Sequence, residues 1–300
     1  MGPTASGKSS LAIALAEHFR AAVLSVDSRQ LYRGMDIGTG KVSPRERARV
    51  PHYMLDILSP EEDFSAADYQ EQARACLASL FKARSTVIAA GGTGFYMKAL
   101  EGELPAALPQ IPASLRRQVQ QALAENGLAA LLQELAAADP ACYHSIDRNN
   151  PRRVQRAIEV IRASGRPFSS FKAQKTSPLP WPVVKIGLHW EREALYRRIN
   201  LRVEEMFAQG LVKEVETLLH RGYHPRKHKA LQSIGYHEVV AYLKGELSYA
   251  ECVALVQKNT RHYARRQLTW LRKEKEIRWF APADKTAILT YLQEQRLALA

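Results

Sequence analysis

Cysteine is scarce in this chain. Cys76, Cys142 and Cys252 are its three in 300 residues, far apart and in no C-x-x-C pair. That argues against a disulfide framework and a cysteine zinc site, and it fits a reducing cytoplasm. Long apolar runs are missing as well. No stretch approaches the ~18 residues of a membrane-spanning helix, and no secretory leader is visible, so no membrane partner is expected. Negative charge is short: 30 Asp and Glu stand against 43 Lys and Arg, a formal +13. A surplus that large in an enzyme-sized chain points to a polyanionic partner. The nine histidines show no metal-ligand spacing. What remains is the composition of an ordinary globular protein, 46% hydrophobic and 24% charged, long enough for one large domain or two modest ones.

The most informative residues are the first nine. Gly2-Pro3-Thr4-Ala5-Ser6-Gly7-Lys8-Ser9 fits G-x-x-x-x-G-K-[ST], the phosphate-binding P-loop. Glycines let backbone N–H groups converge on phosphate oxygens, Lys8 supplies a cation and Ser9 a hydroxyl for Mg²⁺. A helix from Ser9 to about Phe19 is expected to turn its positive end to the same anion. Such a loop normally follows a buried β-strand, and only Met1 precedes it here. The encoded protein is therefore expected to start upstream, with the first strand of the sheet in the missing piece.

Further along, Ala21–Val26 reads as a short buried strand ending at Asp27. Ser65 and Asp68 have the spacing of a capping box, with Phe64 placed to staple to Tyr69, so a helix should start there. Thr86–Ala90 is the next strand and runs into Gly91-Gly92-Thr93-Gly94. This alternation predicts an α/β fold, a P-loop doubly wound parallel sheet with its first strand truncated. In such sheets ligands bind beyond the carboxyl ends of the strands, so the P-loop, Asp27-Ser28-Arg29-Gln30 and Gly91–Gly94 should meet at one pocket.

Residues 105–182 differ in texture. Pro105, Pro109 and Pro112 open the stretch, Pro178, Pro180 and Pro182 close it, and the pattern between is helical. It reads as an inserted helical lobe between a first core part, 1–104, and a second, 183–300. Residues 144–175 hold eight Lys and Arg against two Asp and Glu, which gives this lobe a basic face. Val183–Leu188 reads as a strand returning to the sheet, and 196–219 as one long amphipathic helix. The last part is mostly helical. Its segment 261–278 carries seven Lys and Arg against two Asp and Glu, with Tyr263 and Trp270 interleaved. Basic residues with aromatics hold phosphates and stack unpaired bases. The plain alternative is a solvated basic helix.

Taken in order, the P-loop, Asp27–Tyr32, Gly38-Thr39-Gly40-Lys41, Pro51-His52-Tyr53, Phe64–Asp68, Gly91–Tyr96, Arg152–Ala157, Ile234-Gly235-Tyr236 and Arg265–Trp270 resemble the tRNA dimethylallyltransferase family, bacterial type, over essentially the whole chain. The resemblance implies a cytoplasmic, monomeric, Mg²⁺-dependent enzyme. Its reaction is transfer of a dimethylallyl group from dimethylallyl diphosphate to N6 of the adenosine beside the anticodon, with the anticodon stem-loop of tRNA as partner. The P-loop, a nucleotide- and ATP-binding motif elsewhere, would here hold a diphosphate. The resemblance also implies that Asp27 takes the amino proton, that Thr93 contacts the reacting groups and that Arg202 binds the diphosphate. The plainer roles are a carboxylate on Mg²⁺ through water, a turn residue and an exposed helix charge. For tRNA contact the resemblance implies Asp27, Ser28, Arg29, Gln30, Thr93, Arg116, Arg152, Arg153, Arg156, Gln232, Gly235, Tyr236, His237, Arg265, Arg266, Gln267, Thr269, Trp270 and Arg272. Arg152 stands where Gln is usual, and Gln232 and His237 replace basic residues of other members.

Two other readings fit parts of the sequence. A small-molecule kinase also has a P-loop, an Asp after the next strand and a helical lid, but it needs no basic, aromatic C-terminal segment. A non-catalytic RNA-binding protein switched by a nucleotide needs neither Asp27 nor Thr93 beside the P-loop.

Overall fold

Helix α1 (Lys8–His18) springs directly from the glycine-rich loop. Its N-cap, Gly7, is left-handed at φ 89°, a conformation a side chain would resist. No side chain caps the helix there, and Ala12, Ile13, Leu15 and Ala16 bury its inner face. Strand β1 (Ala22–Val26) follows and is buried at all five positions, as a strand covered on both faces must be. Then come α2 (Pro44–Arg49), β2 (His52–Tyr53), α3 (Ala66–Leu80), β3 (Val87–Gly91) and α4 (Gly94–Glu101). The capping box forms as expected: Ser65 Oγ accepts from Asp68 N at 3.2 Å, and Asp68 Oδ2 accepts from Ser65 N at 2.7 Å. One turn on, the buried Tyr69 stacks on Tyr96 at 4.1 Å and donates its hydroxyl to Ser25 O at 2.9 Å, fastening α3 to β1.

This is a computed structural model describing residues 1–104, 108–172 and 177–298. Two compact units emerge, Met1–Leu100 with Pro180–Ala300, and Glu101–Leu179. Pro105, the expected opening of the lobe, lies outside the described residues. The second unit consists of α5 (Ala113–Ala138), kinked at Gly127, then α6 (Pro140–Ser145), α7 (Pro151–Ser164) and α8 (Phe168–Lys172). Its core gathers Val119, Leu131, Leu135, Cys142, Val154, Ala157 and Ile158. The buried Asp139 carboxylate accepts from Cys142 N, Ser169 N and Ser169 Oγ, so α6 and the start of α8 share one acceptor. Arg116, Arg152 and Arg153 are exposed, and Arg156 lies 3.4 Å from Glu159.

Back in the first unit, β4 (Ile186–Leu188) leads to α9 (Arg192–Ala208), α10 (Leu211–His220), a 3₁₀ turn at Lys229–Gln232, α11 (Tyr236–Leu243), α12 (Tyr249–Leu271), β5 (Arg278–Phe280) and α13 (Lys285–Ala298). The single helix expected over 196–219 is two. Gly210, at φ 100°, breaks it, because no right-handed helix continues through that conformation.

The sheet also departs from the single doubly wound one expected. Strands run β2-β1-β3, all parallel, with Val26 opposite Gly91, while β4 and β5 form a separate parallel pair. The backbone of Met1 also bonds to β4: Met1 N donates to Ile186 O at 2.6 Å, and Leu188 N donates to Met1 O at 3.0 Å. With β5 on one side and Met1 on the other, β4 has its ladder groups engaged and does not join β3.

Candidate active site

Parallel pairing brings the ends of β1 and β3 side by side. Thr93 N donates to Val26 O at 3.3 Å, and Ser28 N donates to Thr93 Oγ1 at 3.1 Å. Asp27 leaves β1 at this point, and its Oδ1 accepts from Arg29 N at 2.9 Å. Three loops distant in sequence thus do meet. Gln267 of α12 fastens two of them, since its Oε1 accepts from Thr4 N at 2.8 Å and its Nε2 donates to Gly92 O at 2.9 Å.

The loop over residues 2–9 borders a cleft of about 840 Å³. Across it stand the segment 36–47 and α9. Lys8 Nζ donates to Pro3 O at 2.5 Å. Arg198, stacked 4.6 Å from the Trp190 ring, donates Nε–H to Ala5 O at 3.1 Å, and Trp190 Nε1 donates to Ser6 O at 3.0 Å. Arg202 Nη2 donates to Gly40 O at 3.5 Å.

These cations repel one another. Burial, and then the Arg202 guanidinium, lower Lys8 to about 8, against the pull of Asp27. Burial lowers Arg202 as well. Arg198 adds to that shift, while Asp27 and Glu205 oppose it. Three cations gathered around one cleft is an arrangement an anion relieves. Asp27 and Thr93 are not part of the cleft wall, yet the Asp27 charge acts on Lys8 and Arg202. It also acts on Tyr263, whose phenol is raised by burial and then by Asp27 to about 12.

Ser9 is exposed on the cleft wall, at the start of α1. Among the described residues no group of three or more His, Cys, Asp or Glu could hold a metal.

The residues expected at tRNA fall into two sets. Arg265, Arg266, Thr269 and Arg272 are exposed on or just past α12, and Gln232 and His237 are exposed near the start of α11. Trp270 is half-buried under the Gly94 backbone, with Lys98 5.6 Å from its ring centroid. Gln267, Gly235 and Tyr236 are buried. Both ends of the Gln267 amide hold internal partners, and the Tyr236 hydroxyl donates to Glu214 Oε1 at 2.7 Å. Gln30 is occupied too, donating to Thr39 O at 3.3 Å and Gly40 O at 3.2 Å. Arg29 Nη1 donates to Lys229 O at 3.2 Å.

Sequence reasoning missed Arg198, Trp190 and Glu214. Arg198 had a legible signal, since it lies four residues before Arg202 and so on the same face of a helix. Trp190 and Glu214 had none, because their roles rest on partners some 180 residues away in the chain.

Among the described residues no helix is long and apolar enough to cross a membrane. The family profile described as IPP transferase matches residues 30–274. A tRNA dimethylallyltransferase of Geobacter sulfurreducens is 46% identical over 291 residues, spanning 96% of this chain and 93% of the relative. A tRNA dimethylallyltransferase 2 of Geotalea uraniireducens is 45% identical, spanning 93% and 90%. The crystal structure of a tRNA isopentenylpyrophosphate transferase from Bacillus halodurans superposes with a TM-score of 0.71 at 35% identity, covering 98% of this chain and 94% of that one. A eukaryotic dimethylallyltransferase acting on tRNA, 24% identical, shares the fold at a TM-score of 0.81, covering 99% of this chain and 76% of that one.

Proposed function

The chain belongs to the IPP transferase family, and from that premise we propose that it transfers a dimethylallyl group from dimethylallyl diphosphate to N6 of the adenosine beside the anticodon in tRNA. The observation that carries the proposal is the gathering of Lys8, Arg198 and Arg202 around the cleft that the glycine-rich loop borders, with Asp27 close enough to shift two of them. In the reaction the N6 nitrogen forms a bond to the allylic carbon, the carbon–oxygen bond breaks, and pyrophosphate leaves with its electron pair. The three cations and the first N–H groups of α1 face the charge that develops on the leaving group. Asp27 accepts the amino proton, and Thr93 hydrogen-bonds beside it. The Ser9 hydroxyl would hold Mg²⁺, which would neutralise charge on the pyrophosphate. Arg265, Arg266 and Arg272 hold tRNA phosphates, and the kinase reading has no use for that basic face.

Incubating the chain with unmodified tRNA, Mg²⁺ and dimethylallyl diphosphate should add one prenyl group to an adenosine, read by mass analysis of the nucleosides. Asp27→Ala should lower kcat by roughly 10²–10⁴-fold and leave tRNA binding almost unchanged. Absence of transfer by folded protein to every tRNA carrying that adenosine refutes the reading. If Asp27→Ala mainly alters the Mg²⁺ dependence, Asp27 is a metal-shell group and not the base.

A further inference from the structure

The segment Asp36–Lys41 forms part of the cleft wall opposite the glycine-rich loop. Three of its successive N–H groups point at one carboxylate. Glu214 Oε2 accepts from Asp36 N at 2.9 Å and Ile37 N at 2.7 Å, and Oε1 accepts from Gly38 N at 3.1 Å and from the Tyr236 hydroxyl at 2.7 Å. A concavity of consecutive backbone N–H groups is an anion site, and here the protein's own carboxylate fills it. The turn is closed from within as well: Gly40 N donates to Ile37 O at 2.9 Å, and Thr39 Oγ1 to Met35 O at 2.6 Å.

Two close approaches make the placement of this turn matter. A Cβ on Gly38 would lie 2.5 Å from the Tyr236 ring, so the turn rests directly on that buried side chain. A Cβ on Gly40 would lie 1.5 Å from Arg202 Nη2, so the end of the guanidinium comes right up against the turn. Gly40 O accepts from Arg202 and from Gln30 Nε2. Glu214 and Arg202 also belong to consecutive helices, α10 and α9, joined at Gln209-Gly210. A displaced turn would therefore carry the Arg202 head with it.

We propose that Glu214 is a positioning residue for the transfer reaction: through the Asp36–Gly40 turn it sets where the Arg202 guanidinium meets the diphosphate. The inference rests on the reading that the cleft binds a diphosphate. Glu214 touches no reacting atom. It removes the freedom of the turn, so that Arg202 reaches the leaving group without first paying for order.

The test uses the full chain and inorganic pyrophosphate as the probe, with binding followed by calorimetry and turnover followed separately. Glu214→Gln keeps the shape but loses the charge and replaces one acceptor oxygen by an amide donor. It should weaken pyrophosphate binding about tenfold or more, the worth of one charge-assisted hydrogen bond. On an Arg202→Ala background the same change should add little, because both changes remove one guanidinium from the site. Tyr236→Phe, which removes one of four donors, should show the same effect in smaller measure. Cooperative melting of each variant shows that the fold survives. If wild type does not bind pyrophosphate, the diphosphate reading itself fails. If wild type binds and Glu214→Gln binds equally well, or the two effects add in full, the positioning role is refuted.

Discussion

Gln267 separates two accounts of α12. In one it is a contact to RNA. In the structure it is a buried strut between the glycine-rich loop and the end of β3. Gln267→Leu keeps the volume and removes both hydrogen bonds. Gly92 O then loses its partner in a buried setting, at a cost of about 1–3 kcal/mol. Thr4 N is half-buried and recovers part of its loss from water, so about 2–4 kcal/mol in total is expected. At roughly 2–4 °C per kcal/mol for a unit of this size, the melting temperature should fall by roughly 5–15 °C. The cost is structural, so tRNA affinity measured well below the transition should change little. Pyrophosphate binding should weaken, because Thr4 sits within the loop that would hold it. The assay is calorimetric melting with tRNA binding in parallel. An unchanged melting temperature together with tenfold weaker tRNA binding would refute the strut and restore the contact.

Three further outcomes follow from the charges. Lys8, lowered to about 8 by burial and by Arg202, should lose its proton in the free protein as pH rises through that value. The ratio of wild-type to Lys8→Met pyrophosphate affinity should therefore fall above about pH 8, a comparison that removes the titration of pyrophosphate itself. The sign for stability is opposite. A lysine lowered on folding destabilises below its folded value, and that penalty is relieved as pH rises from about 8 toward 10.5, so unliganded wild type should gain stability relative to Lys8→Met over that range. A flat ratio would show that Lys8 is not the cation that meets the anion. Arg265→Ala should weaken tRNA binding and reduce the slope of log affinity against log salt by about one, with turnover at saturating tRNA preserved. An unchanged slope assigns Arg265 to an ordinary solvated helix face.

Local order carried far in the sequence. The glycine-rich loop and its helix, the Ser65–Asp68 capping box, and strands beginning within a residue of Ala22 and Val87 were all legible, because each depends on neighbours a few residues away. So was the meeting of Asp27 and Thr93 at the ends of β1 and β3, since parallel strands must end side by side, whereas the single pocket expected for them with the glycine-rich loop did not form: neither residue borders the cleft. The charge surplus and the order of motifs pointed to the family that the comparisons show. Tertiary structure decided the rest. Whether a polar side chain on a basic helix faces RNA or the interior depends on its rotation about the helix and on what packs there. Gln267 and Arg266 are adjacent in sequence, yet one is buried and the other exposed. Tyr236 reads as part of a tRNA motif, and only the folded chain shows Glu214 and Gly38 against it. Glu214 itself gives no sign in the sequence, because three of its four donors are backbone N–H groups some 178 residues earlier. Backbone donors carry no residue identity, so only the folded chain reveals which carboxylate they choose.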